Sequence, residues 1–124
     1  MSLESSFRIF LAAQSTVTDL VSTRIYPNRL PDNPTVPAVV YQRISTLNEL
    51  ASGDVPLRRI RLQVDCWGDR YEDVVAVAEA IHTAADMGSA SGLHAMIPED
   101  DDDSYDSEAL LHRRRIDLFI WEQT

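Results

Sequence analysis

The chain has 124 residues, of which 44% are hydrophobic and 25% charged, with 4 glycines and a single cysteine. That length suits one domain, 1–124, with enough apolar side chains for a core that needs no disulfide or metal. The net charge of −9 argues against general DNA binding, no run of about 18 apolar residues is present to cross a membrane, and Cys66 alone excludes an internal disulfide framework.

Residues 3–13 read as an amphipathic helix, with Leu3, Phe7, Phe10 and Leu11 on one face of a 3.6-residue period. Thr16 is placed to cap a short second helix holding Leu20 and Val21. Ile25 and Tyr26 suit a very short strand. Pro27, Pro31, Pro34 and Pro37 then make 27–37 a stiff, extended loop, because proline fixes φ and removes backbone donors.

Residues 38–45 read as a strand from Val39, Val40, Tyr41 and Ile44. The polar segment 46–57, with Gly53 and Asp54, reads as a loop. In 59–67, Ile60, Leu62, Val64 and Cys66 alternate with Arg59, Arg61, Gln63, Asp65 and Trp67, so one face of this strand is packed and the other is not. Asp69 is placed as an N-cap answered by Glu72, for a helix running to about Met87 and stopped at Gly88. A short strand is expected at 93–97, an acidic loop at 99–108, and a last strand at 112–122 whose Ile116, Leu118 and Ile120 complete the core. The expected fold is α+β: a mostly antiparallel sheet of about four strands with two main helices packed on one face.

The charge is concentrated. Glu99, Asp100, Asp101, Asp102, Asp103, Asp106 and Glu108 fall in ten residues, and outside that window 13 acids face 11 arginines. There is no lysine. Dense carboxylates can hold Ca²⁺, but an EF-hand loop from Asp100 would put Tyr105 where glycine is needed and Leu111 where glutamate is needed. A cation-binding or regulatory module built on this loop is the competing reading from another class.

Enzyme signatures are absent: no Gly-rich phosphate loop, no G-x-S-x-G, no H-E-x-x-H. His82, His94 and His112 are not at ligand spacing, and Cys66 falls on an apolar strand face as an inert thiol. No catalytic residue, cofactor site or metal site is expected. The arginines and aromatics are more informative. Arg59, Arg61, Trp67, Arg113, Arg115, Phe119 and Trp121 share the non-core faces of two strands, and arginine with aromatics is the composition of protein interfaces.

Three segments resemble a known family. They are Arg24-Ile25-Tyr26-Pro27 with the proline-rich loop and Val36 to Ile44; Arg61 to Gly68, leading into Tyr71, Glu72 and the Ala78-Glu79-Ala80 helix; and the closing Arg115 to Trp121 strand. In order and spacing they resemble the tail-completion, or tail-to-head joining, proteins of long-tailed bacteriophages. The resemblance implies a structural phage or prophage protein of a tail-terminator kind, not an enzyme. It implies a ring, often a hexamer, at the head-proximal end of the tail tube, touching the tail-tube protein and the head–tail connector proteins. The place implied is the virion tail, assembled in the host bacterial cytoplasm, with no specific nucleic-acid binding and no membrane. A head-completion connector or another minor tail protein is the alternative within the same class. The acidic residues 99–108 would serve as an assembly or lumen loop.

Overall fold

The computed structural model describes residues 2–50, 56–86 and 95–123. The elements run α1 (Leu3–Ala12), α2 (Ser15–Val21), β1 (Ile25–Pro27), β2 (Ala38–Leu50), β3 (Pro56–Gly68), α3 (Tyr71–Asp86), β4 (Ala95–Asp106) and β5 (Leu111–Gln123). The five strands form one sheet in the order β1-β2-β3-β5-β4. Only the β1–β2 pair is parallel; the other three pairs are antiparallel. The fold is α+β, with the three-residue β1 added to the four long strands.

The core lies between the sheet and the helices. Leu3, Phe7, Phe10 and Leu11 of α1, Val17 and Val21 of α2, and Val74, Val77, Ala78 and Ile81 of α3 are all buried there. They meet Ile60, Leu62, Val64 and Cys66 of β3 and Ile116, Leu118 and Ile120 of β5, each 0% exposed. Each large apolar side chain so buried contributes about 1.5–3 kcal/mol against chain entropy. Phe7 also meets the Tyr41 ring edge-on at 5.9 Å. Ser2 caps α1, its hydroxyl accepting from the Ser5 N–H at 3.1 Å, and Glu4 of the first turn ion-pairs with Arg43 of β2.

The structure departs from the sequence expectation in several elements. Segment 46–57 is not simply a loop: β2 continues to Leu50 and β3 begins at Pro56. Leu47 pairs with Arg59 and Thr46 with Ile60, so long-range backbone pairing holds polar residues in strands. The acidic stretch is likewise a strand as far as Asp106, followed by a turn at 107–110. Thr16 does not cap α2, which starts at Ser15 after Gln14, without a side-chain cap bond. Helix α3 begins at Tyr71, where the Arg70 carbonyl, not an Asp69 side chain, accepts from the N–H groups of Asp73 and Val74. The readings placed on Met87, Gly88, Leu93 and His94 lie outside the described residues.

The 27–37 loop is as expected beyond β1. It is fastened at both ends: the Asn28 N–H donates to the Tyr41 carbonyl at 2.9 Å, and Arg24 Nε donates to the Pro37 carbonyl at 2.9 Å.

Gly68, at the turn from β3 into α3, fits because it has no side chain. A Cβ there would sit 3.0 Å from Val74 Cγ2 and 3.4 Å from the Arg70 carbonyl oxygen. Val74 is 0% exposed and has nowhere to retreat. Gly68→Ala is expected to cost about 1–3 kcal/mol and to lower the melting temperature by several degrees in a thermal denaturation series. An unchanged melting temperature would mean that the β3–α3 turn is loosely packed.

Candidate assembly surface

The helices cover one face of the sheet. On the other face, cross-strand register arranges the outward side chains in rows. Leu47, Arg59 and Trp121 form one row, and Ser45, Arg61 and Phe119 the next. Gln42, Gln63, Asp117 and Asp100 follow, then Val40, Asp65, Arg115 and Asp102, and finally Ala38, Trp67, Arg113 and Ser104.

The seven residues expected at an interface all lie on this face, but not as one patch. Arg59, Arg61, Phe119 and Trp121 gather toward one end. The Arg59 guanidinium lies 5.1 Å from the Phe119 ring centre, and the Phe119 and Trp121 rings are 6.4 Å apart. Leu47 beside them is 48% exposed. Trp67 and Arg113 stand at the opposite end, stacked at 5.4 Å. Arg115 falls between the two groups.

The middle rows hold two buried carboxylates, Asp117 and Asp65. Asp117 accepts from Arg61 Nη2 at 3.0 Å, and its Oδ1 is buried without a protein hydrogen-bond partner. Asp65 is 7% exposed and accepts from the Gln63 amide at 3.2 Å. Burial pushes its carboxyl above the usual range, and the Asp117 charge adds to this. The Gln63 hydrogen bond and the nearby Arg113 and Arg115 act the other way without cancelling the shift.

The acidic residues occupy β4, and alternation sends them to two different faces. Asp101 and Asp103 point to the helix side. Asp101 meets His82 Nε2 of α3 at 2.9 Å. Asp103 accepts from Arg114 Nε at 2.6 Å and from the Tyr71 hydroxyl at 2.7 Å, which holds its carboxyl below the usual range. Asp102 points to the open side and ion-pairs with Arg115. Asp100 is exposed opposite Asp117, and Glu99 stands where the β4–β5 register shifts. Asp106 accepts from the N–H groups of Glu108 and Ala109 and thereby shapes the turn. The sequence expectation of one acidic loop therefore gives way to a strand in which Asp101, Asp102 and Asp103 find histidine and arginine partners within the same chain. Among the described residues, no group of three or more His, Cys, Asp or Glu is placed to hold a metal ion.

Sequence reading missed the shared placement of Asp65 and Gln63. Both line a groove of about 690 Å³ on the open face, between the 28–34 loop and the 106–109 turn, with Trp67 and Arg113. Their outward position was legible in the strand alternation, but the loop that walls the groove was not. Cys66 is fully buried, and desolvation pushes its thiol far up, as its place on the apolar face requires.

The sheet thus carries helices on one side and an arginine–aromatic surface on the other. The family described as Tail completion protein gp17 matches residues 8–123, and the chain belongs to it. It is a structural phage virion protein of the tail-completion class. Among curated proteins no match is found. The fold is similar to that of a chain from the virion of a native gene transfer agent (GTA) particle, at 16% identity and a TM-score of 0.74, covering 99% of this chain and 96% of that one. Among the described residues, no helix is long and apolar enough to cross a membrane.

The raised carboxyl pKa of Asp65 has a testable sign. An unfolded Asp titrates near about 3.9 and the folded one higher, so the folded state binds this proton more tightly. Asp65 therefore opposes folding above its folded pKa, and that penalty disappears as pH falls toward about 4. Asp65→Asn is expected to raise the melting temperature at pH 7, with the gain shrinking toward zero near pH 4. A loss of stability at pH 7 would show that its pairing with Arg113 and Arg115 outweighs desolvation.

Proposed function

We propose that the protein closes into a ring at the head-proximal end of a phage tail tube, completes the tail there and joins it to the head. Its neighbours in this reading are further copies of itself, the tail-tube protein and the head–tail connector proteins, and it acts without catalysis. It assembles in the host bacterial cytoplasm and ends in the virion tail.

The observation that carries this reading is the family match over residues 8–123. The surface supports it. A closed ring needs two different patches on one subunit that fit each other. The open face offers an arginine–aromatic patch built from Arg59, Arg61, Phe119 and Trp121. Aromatic and arginine side chains are the commonest anchors of interfaces, which bury about 800 Å² per partner in standard cases. The similar fold of a chain in a GTA virion supports this reading.

Native mass spectrometry at rising concentration checks the ring directly. The expected species is a closed multiple of the 13.9 kDa subunit. Trp121→Ala is expected to shift assembly to at least about tenfold higher concentration while changing the melting temperature by little, because Trp121 lies outside the buried core. A variant that loses folding and assembly in equal measure would instead make Trp121 a residue of the fold. A wild-type protein that stays monomeric at all concentrations, with the tail tube added, would end the ring reading.

A further inference from the structure

The groove on the open face has a composition of its own. Asp65 lies on its floor, while Asp32, Asp106 and Glu108 stand exposed around it. Arg29 and Arg113 are the cations among its lining residues, and Arg113 is already stacked on Trp67 and donates to the Ser104 hydroxyl. Four carboxylates against two guanidiniums leave the groove negative. Its walls are apolar where Leu30, Val40, Trp67 and Leu111 contribute.

The groove is also preformed. One wall is the proline-rich loop, tied to the sheet by the Asn28 and Arg24 hydrogen bonds. The other wall is the 106–109 turn, held by the Asp106 carboxylate. A stiff cleft loses little entropy on taking a ligand. A buried carboxylate whose side-chain hydrogen bonds come from one neutral amide is under-compensated, and a cation is the group that would compensate it.

We propose that this groove receives an extended segment of a different protein, with a basic side chain on Asp65 and apolar neighbours against Trp67 and Leu30. A second copy is the poorer donor of that cation. The chain has no lysine. Of its eleven arginines, Arg43, Arg61, Arg70, Arg114 and Arg115 are ion-paired with Glu4, Asp117, Glu72, Asp103 and Asp102 of the same chain, and Arg8 and Arg24 donate to the Ile25 and Pro37 carbonyls. The site stands apart from ring closure and does not depend on it.

The test is an NMR titration of the full-length, ¹⁵N-labelled protein with a capped Gly-Leu-Arg-Leu-Gly peptide and with its glutamine counterpart. The arginine peptide is expected to shift the Trp67 indole signal and the backbone amides of 28–34 and 106–111 saturably. The glutamine peptide is expected to bind at least about tenfold more weakly, as is the arginine peptide to Asp65→Asn. A second variant, Asp32→Asn with Glu108→Gln, changes only exposed side chains. It is expected to weaken binding at low salt and much less at high salt. Equal binding of the two peptides, shifts confined to the Arg59–Trp121 end, or wild-type binding by both variants overturns the proposal. So does movement of the same signals with protein concentration alone, which would make a second copy the occupant.

Discussion

Three consecutive arginines on β5 make the acidic strand possible. Like charges repel, and β4 carries four aspartates in a row, two on each face. Arg114 answers Asp103 on the helix side, and Arg115 answers Asp102 on the open side. Arg113 joins Ser104 to Trp67. Because β5 lies between β3 and β4, the same residues that neutralise the acidic strand also border the buried Asp65 and Asp117. Tyr71 and His82 extend the contact to α3, so helix, sheet and acidic strand share one electrostatic framework.

That framework divides the sheet between two jobs. On the helix side, apolar side chains from β3 and β5 are sealed by three helices, and stability resides there. On the open side, buried charge and half-exposed aromatics are a costly way to make an ordinary wet surface. The proposed partners account for them: an outward arginine–aromatic patch and an acidic groove are surfaces suited to meeting other chains.

Much of this was legible in the chain and some was not. Alternation in 59–67 and 112–122 fixed both central strands and sorted Trp67, Phe119 and Trp121 onto the outer face, because a strand's period of two admits one assignment. The helix at 3–13 was equally clear from its apolar spacing. Residues 46–50 and 100–106 were misread as loops, since aspartate, asparagine and serine have poor strand propensity. Their pairing with 56–61 and 111–117 is a tertiary fact that local composition does not carry. The interface residues were found as a set, but their separation into two ends depends on the register between β3 and β5. The groove depends on where the proline-rich loop folds back, which neither strand announces.

The two margins of the sheet bear on how such subunits can associate. One margin is β1, three residues long and ending in Pro27. The other is β4, which carries Pro98, a register shift and a row of aspartates. A short proline-ended strand and a charged, irregular one are both poor templates for a further strand. Copies of this protein are thereby steered away from fusing their sheets into open-ended fibres. The proposed ring contacts accordingly fall to faces and turns, where geometry can count subunits and stop.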